Sequence, residues 1–512
     1  MGKFTQALQF YARLIKKYPK HTKVFDAEMG IGWTYFELKQ YARAGDSFRK
    51  ILRKYKKSDE QAKAYLALGA CLYNLRDLQG ALKSYKTILE KFLTQHDEAT
   101  EARYQMAWLH FRQNKFDEAI LEFQKYIALG ENEPRHADAL YFSGLSYFQT
   151  GKYAEAINHF ERAAHTPNAP AWLKEKALAD LARSQNSAGQ IADAQKTYKA
   201  LIEAYPQSSV YDEALYQLVL LAFKTNDEAS AIEWKGQLKA HNSKSPWYAE
   251  ALRETADFYR KEKRFTLAEH ALVELEEAQK KPEEKLTTLV LRASLHFEEG
   301  RDEKAKALTL KILQNEEITD ATANSAAALL FRIYEKQGAY VDGEKEAVRL
   351  CTRFAENSLL KEEMLLHQAH FLTLQKKFSA SREALTPLAT SRHTGARARF
   401  AIAETYRAEN DTTHALDFYR QITQKQDEGL YLKARFYIGQ ILFDRKDYEA
   451  AAREFSRVAY ADSRDDATYE KALYYAARAF REIQKEKEFE TFREKLKEAF
   501  PQSTYIKELE TP

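Results

Sequence analysis

Small, aromatic and polar positions along this chain fall into a pattern that returns about every 37 residues. An alanine followed four residues later by an aromatic recurs at Ala7/Tyr11, Ala44/Phe48, Ala81/Tyr85, Ala119/Phe123, Ala156/Phe160 and Ala194/Tyr198. It returns at Ala415/Tyr419 and Ala451/Phe455. The alanine persists alone at Ala231, Ala268 and Ala305, so every step from Ala7 to Ala305 is 37 or 38 residues. A period of this size marks a solenoid, in which each unit buries its apolar face only against its neighbours.

Each period divides into two amphipathic helices. Twelve residues before the marker alanine stands a small residue: Gly32, Gly69, Ala107, Gly144, Ala182, Ala256, Ala293 or Gly439. Apolar residues flank it at helical spacing, as in Tyr141-Phe-Ser-Gly-Leu-Ser-Tyr-Phe148. A short polar turn follows, such as Thr150-Gly-Lys152 or Gln113-Asn-Lys115. An apolar residue then opens the second helix, and the alanine three residues later marks where two helices approach closely. The unit is a helical hairpin.

With Leu68-Gly69, Ala81 and Tyr85, and with Gly144, Tyr147, Ala156 and Phe160, the chain resembles the tetratricopeptide repeat family. Tyr18-Pro19, Tyr205-Pro206 and Phe500-Pro501 supply the family's closing proline in some copies. The resemblance implies an all-α fold, a right-handed α-solenoid superhelix of about twelve to thirteen hairpins. The longer period, with its extra residues in loops such as Tyr205-Pro-Gln-Ser-Ser, is similar to bacterial envelope members. These include outer-membrane assembly lipoproteins and Tol-Pal-associated periplasmic proteins.

Regularity falls after residue 310. Gly343 and Ser381 replace the marker alanine, and Pro387 sits inside an expected second helix, which it must kink or shorten. The expected organisation is a regular solenoid over 1–386 and a continuation with altered spacing over 387–512. The chain opens in mid-repeat, because Phe4, Ala7, Tyr11 and Pro19 occupy second-helix positions. This start reads either as a genuine beginning with local fraying or as a fragment or mis-assigned first codon. No signal peptide is visible, and no stretch of 18 or more apolar residues could span a membrane.

Composition changes this picture little. The net charge of +4 argues against nucleic acid as the main ligand. Residues 1–60 nevertheless carry fourteen Lys/Arg against six Asp/Glu, densest at Arg49, Lys50, Arg53, Lys54, Lys56 and Lys57. Such a patch reads either as a solvated face or as a contact for an acidic partner or an anionic membrane surface. Two cysteines, Cys71 and Cys351, exclude a disulfide framework and read as small buried hydrophobes.

The resemblance implies that the first helix of each hairpin lines a concave surface. The register set by the small residue then points Met29, Trp33 and Phe36 into it, followed by Leu66, Ala70 and Tyr73. Tyr104, Trp108 and Phe111 come next, then Tyr141, Leu145 and Phe148. An aromatic stripe at helical spacing is either packing or a binding groove. The two tryptophans favour the groove, since tryptophan concentrates interface energy. Farther along, the same positions become charged, with Arg253, Asp257 and Arg260, then Arg332 and Glu335, then Arg397, Glu404 and Arg407. A chaperone-type carboxylate clamp needs an asparagine at one groove position. That position holds Trp33, Ala70, Trp108, Leu145, Arg183, Leu220, Asp257 and Ser294 in successive copies, so no clamp is expected.

Catalytic motifs are missing: the chain has no phosphate-binding loop, no His-Glu-x-x-His and no Gly-x-Ser-x-Gly. Glu363, His367 and His370 share a helical face, but three ligands on one helix make a poor metal site. No enzyme activity, cofactor or metal is expected. The expected function is a scaffold or adaptor that binds proteins or peptides in the aromatic groove, within a bacterial envelope complex and with a periplasmic or envelope location, a cytoplasmic one staying open because the start reads as truncated. The alternatives are a peptide-sensing receptor that changes curvature, or the repeat arm of a longer enzyme.

Overall fold

The computed structural model describes residues 2–424, 430–461 and 466–510. Among them are 28 α-helices and one 3-10 turn. Two compact units divide at Phe258/Tyr259.

The first unit opens with α1 (Gly2–Lys17). Six hairpins follow. They are α2 (Val24–Glu37) with α3 (Tyr41–Lys54), α4 (Ser58–Asn74) with α5 (Leu78–Lys91), and α6 (His96–Arg112) with α7 (Phe116–Ile127). Then come α8 (His136–Gln149) with α9 (Tyr153–His165), α10 (Ala171–Ser187) with α11 (Ile191–Ala204), and α12 (Tyr211–Lys224) with α13 (Glu228–Asn242). The division between units falls inside α14 (Pro246–Lys261).

The second unit continues with α15 (Phe265–Ala278) and six further hairpins. The first three are α16 (Pro282–Glu298) with α17 (Asp302–Gln314), α18 (Asp320–Lys336) with α19 (Tyr340–Arg353), and α20 (Ser358–Leu374) with α21 (Phe378–Leu385). The rest are α22 (Gly395–Ala408) with α23 (Thr412–Thr423), α24 (Tyr431–Asp444) with α25 (Tyr448–Ala459), and α26 (Asp466–Glu482) with α27 (Glu486–Ala499). A short α28 (Tyr505–Glu510) closes the described chain.

The marker residues do what their sizes require. Ala44, Ala81, Ala119, Ala156 and Ala194 are all fully buried where helices cross. The aromatics one turn on, Phe48, Tyr85, Phe123, Phe160 and Tyr198, are buried as well. Phe48, Tyr85 and Phe160 lie over the glycine of their own first helix: a Cβ on Gly32 would stand 2.5 Å from Phe48, and one on Gly69 2.4 Å from Tyr85. These hairpins therefore close by placing a large ring where the facing helix has no side chain.

Every hairpin turn holds one residue in the left-handed region, as at Lys39 (φ 58°), Arg76 (φ 66°), Asn114 (φ 57°) and Gly151 (φ 74°). That conformation lets the next N–H reach back five residues, as Asp77 N–H does to the Leu72 carbonyl at 2.9 Å, closing the first helix with a Schellman motif. At Pro387 the second helix is cut short: α21 ends at Leu385 and a 3-10 turn, Thr386–Thr390, takes over. Cys71 is buried, with its thiol pushed up to about 12 by burial. Cys351 departs from expectation in being only half-buried.

Candidate functional site

The groove positions of the first unit fall into two groups. Trp33 on α2 is 38% exposed, its indole meeting Phe48 and Phe36 edge-on at centroid distances of 5.4 Å each. The helical register that buries Gly32 against Phe48 leaves the next residue, Trp33, facing outward. One turn of the solenoid farther on, the equivalent residue is Ala70. The small side chain leaves an open hollow of about 260 Å³ lined by Trp33, Leu66, Ala70, Tyr73, Tyr85 and the polar trio Asn74, Glu101 and Gln105.

The polar wall of this hollow is held in place. Glu101 accepts from Arg135 Nε at 3.0 Å and from Gln105 Nε2 at 2.7 Å. Asn74 Nδ2 donates to the Ala70 carbonyl at 2.9 Å. The oxygens of the Asn74 and Gln105 amides can accept from a visiting N–H. None of these three polar residues was expected in the groove. Each lies on the flank of the stripe, where a charged or amide residue reads as solvated surface.

The second group centres on Trp108, which is half-buried. Its indole meets Phe142 at 4.6 Å and stacks on Phe111 at 5.7 Å, with the Arg112 guanidinium 5.9 Å from the ring. Phe142, absent from the expected site, also packs against Phe111 at 5.4 Å. It joins α6 to α8, so Trp108 belongs partly to the packing between hairpins. Phe111 reaches a second open hollow of about 290 Å³ with Arg112, Asn114, Phe116 and Gln149.

Two expected groove residues are packing instead. Tyr104 is 5% exposed, its ring against Tyr126 and Phe123 and capped by Arg135 at 4.8 Å. Tyr141 is 8% exposed, and its hydroxyl donates to Asp180 Oδ2 on α10 at 2.9 Å. Burial, with Asp180 adding to it, drives the Tyr141 phenol far above its ordinary pKa. Both rings turn into the seam between hairpins because the next first helix, or the turn before it, offers a charged partner. Met29, Phe36, Leu66, Tyr73 and Phe148 are half-buried along the face, Phe148 against Tyr153 at 5.4 Å.

The basic stretch is split by its own carboxylates. Arg49 pairs with Asp46 at 2.9 Å, and Lys54 pairs with Glu28 on α2 at 2.7 Å, a bond that raises the Lys54 pKa. Lys50, Arg53, Lys56 and Lys57 are exposed. In the second unit the charged positions largely pair with one another: Arg260 with Glu298, Glu335 with His370, Glu363 with Arg397 and Glu404 with Arg407. Arg332 lies over the Phe297 ring at 5.1 Å. Arg253 of the first unit pairs with Glu250.

The face of Glu363, His367 and His370 is thereby taken up. His367 packs tilted against Phe331 at 4.5 Å, and burial pushes its pKa down to about 4. Among the described residues no group of three or more His, Cys, Asp or Glu is placed to hold a metal ion. No described helix is long and apolar enough to cross a membrane.

Comparison with known families agrees with this architecture. One tetratricopeptide repeat model matches residues 1–59, 29–92 and 104–171, and a second matches 147–219. Residues 1–92 and 104–219 are tetratricopeptide repeats. Repeats of this type generally serve as non-catalytic surfaces for binding proteins or peptides. No curated protein matches the chain.

Solved structures similar to parts of the chain include the C-terminal part of a TPR repeat-containing protein from Cytophaga hutchinsonii. It is 16% identical, covering 49% of this chain and 94% of that one, with a TM-score of 0.41. PilW, described as a type IV pilus biogenesis factor, is 21% identical over 45% of this chain and 100% of its own, with a TM-score of 0.34. YrrB, described as a TPR protein with an unusual peptide-binding site, is 18% identical over 40% and 98%, with a TM-score of 0.33.

Proposed function

We propose that this tetratricopeptide-repeat protein is a non-catalytic adaptor that grips a partner segment along the first-helix face of its first unit. The observation that carries the reading is the hollow above Ala70, bordered by the exposed Trp33. Its volume suits one large apolar side chain. The amide oxygens of Asn74 and Gln105 stand beside it to accept main-chain N–H groups. Tryptophan at the rim supplies a large rigid surface at low entropic cost.

We propose further that the complex belongs to the bacterial envelope, with the chain in the periplasm or at the cell envelope. The 37- to 38-residue period and the lengthened Tyr-Pro loops support this assignment. Its contact with an acidic partner or an anionic membrane would run through Lys50, Arg53, Lys56 and Lys57.

The test is crosslinked capture from native lysate, with Trp33→Ala and Ala70→Leu compared against the unaltered chain. Ala70→Leu fills the hollow from a half-buried position without removing a core contact. A partner captured by the unaltered chain and lost with both variants supports the groove. Equal capture by all three means that the face is packing and that binding lies elsewhere. Fractionation of cells expressing the tagged native gene tests the location, and recovery with cytoplasmic markers alone would refute it.

A further inference from the structure

Charge in the first two hairpins is sorted by helix. The first helix α2 holds Asp26, Glu28 and Glu37 and no Lys or Arg. Its counterpart α4 holds Asp59 and Glu60 against Lys63. The second helix α3 with the loop after it, residues 41–57, carries seven Lys/Arg and one acid, Asp46. On α5 stand Lys83, Lys86 and Lys91 against Glu90. The repeat itself does not require this. The second helices α7 and α9 also turn a face outward, yet α7 holds Asp117, Glu118 and Glu122 against Lys125, and α9 holds Glu155 and Glu161 against Arg162.

Much of this charge is free. Asp46 is taken up by Arg49 at 2.9 Å, Glu90 lies 3.6 Å from Lys86, and Lys54 reaches back to Glu28 at 2.7 Å. Lys50, Arg53, Lys56, Lys57, Lys83 and Lys91 are exposed, and among the described residues none of the six pairs with a carboxylate. Lys50 and Arg53 stand one turn apart on α3, and Lys56 and Lys57 continue from its end.

The same face also exposes leucines. Leu93 is 60% exposed in the loop after α5, at the place that Lys56 holds one repeat earlier. On α7 and just after it, Leu121 and Leu129 take the places that Lys83 and Lys91 hold on α5, and they are 52% and 42% exposed. The exposed acids Glu118 and Glu131 flank these two leucines and bound the cationic area. The core of a protein interface is depleted of lysine and gathers its apolar residues into one patch. Here lysines outnumber leucines and share their positions from one hairpin to the next. A lipid headgroup layer accepts that mixture, since cations rest on phosphates while single apolar side chains pass between them towards the acyl boundary.

We propose that the outward face of α3, α5 and α7 docks on an anionic membrane surface. The six free cations lie on lipid phosphates, and Leu93, Leu121 and Leu129 enter the headgroup layer. Each cation held at such a surface strengthens binding by about fivefold, so six suffice for a stable but salt-sensitive contact. This docking rests on the cationic contact proposed for the adaptor and needs nothing from its groove, which is built on the first helices. An acidic protein would match the charge but not the mixture of lysine and leucine.

The probe is a vesicle of phosphatidylglycerol with phosphatidylcholine, sedimented with the intact chain, and vesicles of phosphatidylcholine alone are the control. The chain should bind the anionic vesicles, release them as salt rises, and ignore the control. Lys50→Glu/Arg53→Glu should weaken binding by about tenfold or more, and Lys50→Arg/Arg53→Lys should keep it. Leu121→Gln/Leu129→Gln leaves the charge unchanged and should weaken binding by about fivefold. All four side chains are exposed, so the melt followed by circular dichroism should not move. Trp33→Ala should bind vesicles as the unaltered chain does, and the charge-reversed chain should keep its groove capture, so either reading can fail alone. No binding to the anionic vesicles, equal binding to the control, or indifference to either the charge or the leucine variant overturns the proposal. So does saturable binding of polyglutamate that Lys50→Glu/Arg53→Glu abolishes while vesicles are ignored, which gives the face to an acidic protein.

Discussion

Gly69 and Tyr85 share a space that only one of them can fill. A leucine at Gly69 would drive the Tyr85 ring from the closest point of the hairpin, since even a Cβ would lie 2.4 Å from it. Gly69→Leu should therefore cost about 2 kcal/mol in urea unfolding, despite the better helix propensity of leucine. Gly69→Ala should cost far less, because Ala107 and Ala182 hold that place elsewhere. Tyr85→Ala empties the same space, so the Gly69→Leu/Tyr85→Ala double variant should lose less than the sum of its parts. In the α18/α19 hairpin buried Phe331 takes the small place and Ala347 the aromatic one, while the space over Gly343 is filled from the next first helix, where Phe371 on α20 would lie 2.4 Å from a Cβ. The sequence reads Gly343 as a lapse in the repeat because a one-residue pattern misses a compensated pair. The groove was half-legible for a related reason. Register places Trp33 and Tyr104 alike, but whether a ring faces out or into the seam depends on partners such as Arg135, distant in sequence. Buried histidine gives a prediction in pH. His159, its ring tilted against Tyr147 at 5.0 Å, is pushed down to about 4 by burial. Between roughly pH 6.5 and 4 the unfolded chain binds a proton that the folded chain refuses, so stability falls as pH drops through that window and is unaffected above it. His159→Gln should flatten the acid limb of stability against pH for the first unit, and an unchanged slope would place the acid sensitivity elsewhere.

Each hairpin turn spends one left-handed residue, and several of these are long polar side chains. Arg76 (φ 66°) and Lys446 (φ 65°) are exposed and carry the steric cost of a Cβ in that region. Arg76→Gly and Lys446→Gly should each stabilise by about 0.5–1 kcal/mol, the relief of strain exceeding the extra freedom given to the unfolded chain. A fall in the urea midpoint would show that the side chains contribute more than their backbone costs. Next to Arg76, the Asp77 carboxylate caps α5 by accepting the Gly80 N–H at 2.9 Å. Its replacement by alanine should cost about 1 kcal/mol. These turns were legible where Gly151, Gly189 or Asn114 stands, because those residues favour the left-handed region on their own. They were silent at Lys39 and Arg76, where the geometry is imposed by closure of the first helix and not chosen by the residue. The shortened α21 was legible for the opposite reason, as Pro387 removes a backbone donor and leaves its mark in a single letter.

Across the whole chain the period made the all-helical repeat fold readable, since a solenoid repeats its packing at each step and eleven registered alanines leave few alternatives. The division at Phe258/Tyr259 has no such signature: it falls inside α14, whose sequence runs as continuous helix. Stability in such a chain is close to a sum of hairpin terms and nearest-neighbour terms, so a lesion should be felt over a limited distance. The Gly69→Leu variant tests this. Its strain sits between α4 and α5, whose neighbours are α3 and α6. Amide exchange should rise in α3 to α6, fade by α9, and stay unchanged from α16 onward, because only adjacent hairpins share buried contacts that could carry the strain. A uniform rise across both units would mean that the chain opens as one cooperative block, with coupling that outruns the hairpin-to-hairpin packing. A rise confined to the first unit but level within it would make the unit, rather than the hairpin, the element that folds and unfolds.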